Sequence, residues 1–360
     1  LAFVVLAVND SIADYTFGVV PLFVLMGIAV SEAGLGRDTF AVVSHSLRRI
    51  KGGLGVATVV SNAIFAAITG ISIASAAVFS RVAVPEMIRA GYDTRLAVGI
   101  VAGSSVLGML IPPSLLLILF AVLTDSSIGD LFKGGVGPGL LLTLAYCVYL
   151  MVLGRMRPDR MEKSTSSQSP AEPPRPMLLA PVLGLAAAVL GGIYTGFFTP
   201  TEAGAVGAFM ALLIAFGMRR LDGPATWRIA LQTGQITASV SFLIIGASVF
   251  GRMLSFSGVP GSLTQLAVES GIGPLGFLVL FSLILIILGT VLDSASIMLV
   301  TVPLAFPIAQ QFGIDPVHFG LITVFAIEIG LLTPPLDMSV FVVASSLKSE
   351  GVKLIDVFYG

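Results

Sequence analysis

The stretch Gly108-Met-Leu-Ile-Pro-Pro-Ser114 decides the fold, together with Gly330-Leu-Leu-Thr-Pro-Pro335, which repeats its pattern 222 residues later. Each lies inside a long apolar run, where a Pro-Pro pair removes two amide donors and interrupts a helix. Paired helix breakers in two halves of an apolar chain are typical of transporters with interrupted helices near the bilayer midplane. Further residues coincide at the same offset: Pro85, Gly91 and Asp93 match Pro307, Gly313 and Asp315.

The composition around these breaks is that of a membrane protein. The 360 residues are 56% hydrophobic and 11% charged, with a mean hydropathy of +1.02, whereas soluble domains carry about 25% charged residues. At roughly 20 residues per crossing, the apolar runs allow about ten spanning or re-entrant segments. We therefore expect an all-α polytopic membrane protein, an inverted-repeat transporter of the ion-transporter type with two re-entrant helical hairpins and interrupted helices.

The sequence also excludes several function classes. The net charge of −1 gives no sign of nucleic-acid binding, and the single cysteine, Cys147, excludes a disulfide framework. The glycine-rich segment 134–139 lacks a following Lys-Ser or Lys-Thr, so we expect no ATP binding. Neither His-Glu-x-x-His nor Gly-x-Ser-x-Gly occurs. We expect no enzyme, no cofactor other than a coupling ion, and no signal peptide at the start.

Basic residues predict the topology. They flank the apolar run 54–79 on both sides, so a single crossing would place basic clusters on both faces of the membrane. A re-entrant hairpin over 54–80 removes that conflict, and a second hairpin over 275–304 then opens from the opposite face. The predicted repeat is therefore inverted, and of the 19 Lys and Arg only Lys133 and Arg252 fall outside the cytoplasm.

The chain is predicted to have six parts. The stretch 155–176, rich in Ser and Pro, cannot bury apolar area and is expected to be a cytoplasmic linker. Thr199-Pro-Thr-Glu202 is typical of an ordinary capped helix start. The parts are an N-terminal scaffold span (1–36), a first repeat (37–154) with hairpin 54–80 and interrupted helix 96–123, the linker (155–176), scaffold spans (177–254), a second repeat (255–347) with hairpin 275–304 and interrupted helix 319–347, and a C-terminal segment (348–360).

Four interrupted places carry the chemistry: the first tip (70–75), the first break (108–114), the second tip (292–296) and the second break (330–335). Non-helical backbone at bilayer depth is tolerated only where it is buried in protein or lines a cavity. Hydroxyls, one carboxylate and freed carbonyls could form two oxygen cages for a hard cation, and half-helix N-termini could attract an anion. Close helix packing by small residues explains the same pattern about equally well.

Three acidic residues lie deep in the second half of the chain. Asp293 is in the second tip, Glu328 precedes the second break and Asp337 follows it. Charged groups inside a membrane are costly and are functional by default, so their crowding suggests a cation or proton role. A local tilt that brings Glu328 or Asp337 to a polar interface is the alternative, and Asp293 is the strongest functional candidate.

Six motifs spread over nearly the whole chain form a specific set. They are Phe17-Gly-Val-Val-Pro-Leu-Phe-Val-Leu-Met-Gly27, Pro85-Glu-Met-Ile-Arg-Ala-Gly-Tyr-Asp93, 108–114, Phe198-Thr-Pro-Thr-Glu-Ala203, Gly313-Ile-Asp-Pro-Val-His-Phe-Gly320 and 330–335. Together they resemble the large membrane (M) subunit of tripartite ATP-independent periplasmic (TRAP) transporters. The resemblance implies a multi-pass permease of the bacterial inner membrane that imports carboxylates such as C4-dicarboxylates or sialic acid on a sodium gradient, by an elevator-type movement. It implies two partners, a small four-helix membrane subunit and a periplasmic substrate-binding protein.

The resemblance also implies the site residues. The first tip resembles the family pattern Gly-Ser-Ser-x-Ala-Thr and departs from it at Ile71, while Asp337 stands near a usual Gly. The implied sodium ligands are Gly70, Ser72, Ser75, Gly108, Pro112 and Pro113 in a first site, and Asp293, Ser294, Gly330, Thr333 and Pro334 in a second. The expected substrate-contacting residues are Ser75, Ser114, Ser296 and Pro335. Glu328 and Asp337 both depart from the family pattern, and they are candidate coupling residues because acidic groups deep in the membrane suggest a cation or proton role.

Two other interpretations stay open. A stand-alone sodium–anion symporter of a related inverted-repeat fold would need no soluble binding protein. A membrane scaffold subunit would have no transport activity and no sodium-dependent change in stability. By the resemblance, the first and last spans of the family are missing from this chain, so we expect a fragment of a longer protein.

Overall fold

The computed structural model describes residues 18–161, 175–334, 338–348 and 354–358. These residues form α-helices and a 3₁₀ turn at Pro176–Leu179, and no strand occurs within the described ranges. The helices are α1 Val19–Glu32, α2 Leu35–Leu47, α3 Gly53–Thr69, α4 Ser72–Arg89, α5 Thr94–Ser105, α6 Leu107–Leu110, α7 Leu115–Thr124, α8 Ile128–Met156, α9 Pro158–Met161, α10 Ala180–Tyr194, α11 Pro200–Gly217, α12 Gly223–Ser257, α13 Val259–Glu269, α14 Pro274–Gly289, α15 Ser294–Gln311, α16 Pro316–Leu332, α17 Met338–Ser346 and α18 Leu354–Phe358.

Six helical segments are long and apolar enough to cross a bilayer, and α1 with α2, bent by 61°, make a possible seventh. Shorter apolar helices α3, α14 and α16 complete the set. The expected fold class, an all-α polytopic membrane protein, is confirmed. The six segments are Thr94–Thr124, Ile128–Met156, Pro176–Tyr194, Pro200–Gly217, Gly223–Ser257 and Ser294–Gln311.

The helix boundaries reproduce the offset of 222 residues found in the sequence. Helix α4 begins at Ser72 and α15 at Ser294, while α5 begins at Thr94 and α16 at Pro316. The two halves therefore share one order of helices and breaks. That the second half is inverted relative to the first stays a prediction.

Each hairpin is preceded by a short helix that the apolar runs of the sequence do not predict. Helix α2 precedes the first hairpin (α3 and α4), and α13 precedes the second (α14 and α15). Polar residues interrupt the apolar pattern of α2, yet Leu35, Phe40 and Val43 form a buried face. Because its polar residues break the apolar run, α2 does not stand out in the sequence as a helix.

Helix α12 is longer than the predicted crossing over 236–254. Its 35 residues extend about 52 Å, well beyond a hydrocarbon core of about 30 Å. The helix starts early because Asp222 caps it: Asp222 Oδ1 accepts a hydrogen bond from Ala225 N at 2.7 Å. Pro224 in the first turn has no amide to satisfy, which also favours this start.

The helix start predicted at Thr199 is confirmed. Thr199 Oγ1 accepts from Glu202 N at 3.3 Å, and Glu202 Oε2 accepts from Thr199 N at 2.8 Å. The two residues form a reciprocal capping box at the beginning of α11. Of the predicted linker 155–176, α8 extends to Met156 and α9 follows it, while 162–174 lie outside the described residues.

The buried core lies around the first hairpin. Phe65 of α3 and Phe79 of α4 are fully buried, and their rings meet edge to face with centroids 5.7 Å apart. Helices α8, α12 and α14 instead expose large apolar side chains, among them Leu141, Phe242 and Leu275. Extensive apolar exposure is expected of surfaces that face lipid, so the buried core lies around the first hairpin rather than around these three helices.

Candidate functional site

The first tip and the first break meet through backbone atoms. Gly70 has φ +63°, in the left-handed region, and any Cβ at this position would overlap the carbonyl oxygen of Pro113. Leu115 N donates to the carbonyl oxygen of Gly70 at 3.2 Å. Only glycine permits both the conformation and the close approach.

Gly108 makes a second close approach between the same two segments. A Cβ on Gly108 would lie 3.0 Å from the backbone of Ile71 and of Ser72. Gly108 belongs to the short helix α6, so the irregular part of the first break is narrower than predicted and covers residues 111–114. Pro112 and Pro113 lie within that irregular part. The structure therefore brings the predicted residues of the first site into one place.

Buried hydroxyls lie beside this contact. Ser75 is fully buried, and its Oγ has no hydrogen-bond partner among the described residues. Ser72 is 4% exposed; both serines belong to the first turn of α4 rather than to an irregular tip. Ser114 uses its hydroxyl differently, because Ser114 Oγ donates to Met109 O and accepts from Leu117 N.

A further buried polar pair lies deeper along the first hairpin and was missed from the sequence. Asn62 Nδ2 donates to Ser104 Oγ at 2.6 Å. Asn62 Oδ1 and Ser61 Oγ have no hydrogen-bond partner within the described ranges. Gly70 is about 12 Å further along α3 from Asn62. A single amide inside an apolar run was the available signal.

The second tip is held by its own cap. Asp293 is exposed and stands at the N-cap of α15, where Oδ2 accepts from Ser296 N at 3.1 Å. Ser296 Oγ donates to Asp293 Oδ1 at 2.5 Å. These hydrogen bonds stay within one turn that also contains Ser294. The irregular part of this hairpin covers 290–293, slightly before the predicted tip.

Gly330 contacts an arm of the second hairpin rather than its tip. A Cβ on Gly330 would lie 2.7 Å from Ile286 O and 3.0 Å from Gly289 Cα. Helix α16 continues through Gly330 to Leu332. Thus α14 and α16 cross closely at two glycines, four residues before Asp293.

The rest of the predicted second site is only partly described. Thr333 ends α16, and its Oγ1 donates to Ile329 O at 2.9 Å. Pro334 is exposed. Glu328 is 2% exposed, so it lies inside the helical bundle rather than at a polar surface. Pro335 and Asp337 lie outside the described residues.

A cavity of about 880 Å³ opens beside the first hairpin. One wall is the face of α4 from Ile73 to Arg81, and the others are the junction of α1 with α2 and part of α12. The arginines predict the topology but not this cavity, although the spacing of Ile73, Ala77 and Arg81 places them on one helical face. Charged residues in the lining are Glu32, Arg37, Asp38, Arg81 and Arg220.

The fold and this site define a class of protein. Two helical hairpins, interrupted helices that meet at glycines, and a cavity that reaches a hairpin tip together describe a polytopic membrane transport protein. Within the described ranges, no group of three or more His, Cys, Asp or Glu could hold a metal ion.

Comparison with known proteins names the family. The family described as "Tripartite ATP-independent periplasmic transporter, DctM component" matches residues 2–359, and the chain belongs to it. The chain is therefore a TRAP transporter large permease, a multi-pass protein of the inner membrane and not an enzyme. The family expected from the motifs is confirmed.

Individual relatives cover most of the chain. The C4-dicarboxylate TRAP transporter large permease protein DctM of Pseudomonas aeruginosa is 36% identical over 335 residues, 92% of this chain and 77% of that protein. The sialic acid TRAP transporter large permease protein SiaM of Vibrio cholerae is 33% identical over 344 residues, 92% and 78% respectively. The solved structure of the Alcanivorax borkumensis YdaH transporter aligns with a TM-score of 0.57 at 20% identity, over 95% of this chain and 81% of that one. The last likeness concerns the fold alone.

Proposed function

We propose that this permease imports an organic acid, a C4-dicarboxylate or a sialic-acid-like carboxylate, and that a sodium gradient drives the import. It receives the substrate from a periplasmic binding protein and works with a small four-helix membrane subunit. The names of the relatives support the substrate class, because the protein from Pseudomonas aeruginosa is named a C4-dicarboxylate transporter permease and the one from Vibrio cholerae a sialic acid transporter permease.

The observation that carries sodium coupling is the contact between the first tip and the first break. Gly70 meets Pro113 there, and the buried Ser75 hydroxyl has no hydrogen-bond partner among the described residues. Leaving a buried polar group unsatisfied costs about 1–3 kcal/mol. A hard cation coordinated by hydroxyl and carbonyl oxygens would remove that cost. Ser72, Ser75, Gly108 and the Pro112-Pro113 segment are the proposed first sodium site.

The second sodium site and the substrate site are proposed around the second tip. Asp293 would supply a carboxylate to a site that includes Ser294, Gly330, Thr333 and Pro334. The substrate would bind between the two tips, where the N-cap residue of α4, Ile71, provides no side-chain cap and the first amides of α4 can attract an anion. The proposed substrate contacts are Ser75, Ser114, Ser296 and Pro335, and the proposed coupling residues are Glu328 and Asp337.

The proposed transport movement is of the elevator type. The two hairpins with their interrupted helices would move as a unit against a scaffold that includes α1 and α11. Helices α1 and α11 pack closely within the proposed scaffold, since a Cβ on Gly204 of α11 would lie 3.1 Å from Leu22 Cβ of α1. Helix α1 also contacts the first hairpin, since a Cβ on Gly27 would lie 2.8 Å from Thr69 O, and the proposed movement would have to break that contact.

The test is uptake of labelled carboxylates into liposomes that contain the full-length permease and its small subunit. Uptake is measured with and without an inward sodium gradient and with and without the binding protein. We expect uptake to require both. Uptake that needs no binding protein would instead indicate a stand-alone symporter, and sodium-independent uptake would overturn the coupling.

Asp293→Asn sharpens this test, because Asn caps a helix about as well as Asp. We expect the variant to fold and to lose sodium-driven uptake. Asp315→Asn is the matched control: Asp315 caps α16 by accepting from His318 N at 3.0 Å and has no proposed role in transport. Unchanged sodium dependence in Asp293→Asn would overturn the second site.

A further inference from the structure

The cavity beside the first hairpin has an excess of positive charge. Its two acidic residues are already paired: Arg220 Nη1 lies 2.5 Å from Asp38 Oδ2, and Arg228 Nη2 lies 3.4 Å from Glu32 Oε2. Arg37 and Arg81 are exposed in the cavity, and within the described ranges neither forms a salt bridge. Two guanidinium groups therefore stay available to an anion.

Helix α4 connects these arginines to the hairpin tip. Ile73 lies at the tip end of the cavity wall, and Arg81 is eight residues further along the same face, about 12 Å away. Ala77, midway along this face, also lines the cavity. Its small side chain leaves the path between the tip and Arg81 open.

The distribution of charge indicates that the end of the cavity with Arg37 and Arg81 faces the cytoplasm. Arg48, Arg49 and Lys51 follow α2, at the same end of the first hairpin as Arg89, and Arg81 lies on α4 between that end and the tip. Basic residues concentrate on the cytoplasmic side of inner-membrane proteins. An anion that leaves the hairpin tip through this cavity therefore passes the two arginines before it reaches the cytoplasm.

We propose that Arg37 and Arg81 form a cytoplasmic release site for the carboxylate substrate, separate from the site at the tips. This inference rests on the proposed function and deepens it. Two guanidinium groups match the two carboxylates of a dicarboxylate, because each can form charge-assisted hydrogen bonds with one carboxylate. The site lowers the energy of the anion on its way out and binds the same class of anion from the cytoplasm.

The first experiment does not depend on transport. In a Cys147→Ser background, which removes the single native cysteine, Ala77→Cys places a thiol on the cavity wall. Its reaction rates with an anionic and a cationic methanethiosulfonate of similar size are measured in the purified permease with its small subunit. We expect Arg37→Gln with Arg81→Gln to lower the anionic-to-cationic rate ratio about tenfold at low ionic strength, and high salt to reduce this difference.

The matched control replaces two arginines that do not line the cavity. Arg49→Gln with Arg89→Gln removes the same net charge from exposed positions after α2 and on α4, and the rate ratio should stay nearly unchanged. An equal fall in both double variants would overturn the site, since the effect would then come from net charge alone. An unreactive thiol at position 77 would overturn the open path.

The second experiment measures carboxylate binding at the same thiol. Succinate should protect Ala77→Cys from the anionic reagent, and the Arg37→Gln/Arg81→Gln variant should need about tenfold more succinate for equal protection. Protection that is unaffected by loss of the arginines would overturn the release site. Arginine-dependent protection in a protein that shows no sodium-driven uptake would support the anion site and overturn the proposed function, so the two failures are distinguishable.

Discussion

The two hairpins repeat each other in sequence order, yet their tips are held in opposite ways. Ile71 and Asp293 occupy the same position at an offset of 222 residues. Ile71 is the N-cap residue of α4 and provides no side-chain cap, whereas Asp293 caps α15. The first hairpin is supported by the first break, through Gly70 and Pro113, while the second supports its own tip and leaves it exposed.

This difference shows how a repeat can diverge without losing its architecture. An uncapped helix start has amides without side-chain partners. Its position then depends on packing against neighbouring backbone. A capped start satisfies part of this need locally and can face solvent. We therefore expect substitutions at the first tip to cost more free energy of unfolding than substitutions at the second.

The largest effect is expected for Gly70→Ala. A left-handed conformation costs a residue other than glycine about 1–2 kcal/mol, and overlap of the new Cβ with the Pro113 carbonyl adds about 1–3 kcal/mol. We expect a total loss of about 3 kcal/mol in unfolding free energy, measured in detergent by thermal or denaturant unfolding. Gly271→Ala is the control, because Gly271 has φ +69° and open space around it. A loss no larger than that of the control would show that the first tip is not held against Pro113.

Gly330→Ala should have the next largest effect. The new Cβ would meet Ile286 O of α14 at 2.7 Å, and separating two closely packed helices costs about 2 kcal/mol. Gly246→Ala in α12 is the control, because no atom lies near a Cβ there and alanine favours a helix by about 1 kcal/mol. Equal stability of the two variants would contradict the close crossing of α14 and α16.

Asp293→Ala should cost less, about 1 kcal/mol, because it removes a helix cap and no packing. Asp293→Asn should cost almost nothing, since the amide oxygen can still accept from Ser296 N. The unfolding free energy of both variants is measured beside that of Asp315→Ala, which removes an equivalent cap from α16. A loss for Asp293→Ala far above that of Asp315→Ala would mean that the second tip has support beyond its cap.

The fold was largely predictable because proline, glycine and charge act locally. The Pro-Pro pairs and the 222-residue offset predicted two repeated, interrupted halves, and the structure places α4 and α15 at that offset. Helices α2 and α13 were missed because their polar residues break the apolar runs. Burial of one face stabilises α2, whereas no residue of α13 is buried, and a search for long apolar runs detects neither helix.

The site was predictable in residue type but not in register. Two glycines at equivalent positions gave no sign that Gly108 contacts the hairpin tip while Gly330 contacts Gly289 of an arm. That register is set by how side chains of packed helices interdigitate, which depends on the whole interface. For the same reason, the sequence does not predict that Arg37 and Arg81, which lie 44 residues apart, line one cavity.

The smallest effect on stability, and the sharpest test of the first tip as an ion site, is expected for Ser75→Ala. The Ser75 hydroxyl is buried without a hydrogen-bond partner among the described residues, so its removal should leave the sodium-free protein equally stable or slightly more stable. Ser80→Ala is the control, because Ser80 is equally buried and its Oγ donates to Ala76 O at 2.5 Å. Sodium binding to the folded state raises the unfolding temperature. We therefore expect sodium to raise it equally in the unchanged protein and in Ser80→Ala, and to raise it less in Ser75→Ala. An equal sodium-dependent shift in both variants would remove Ser75 from the ion site. The two tips would then differ only in the contacts that hold them in place.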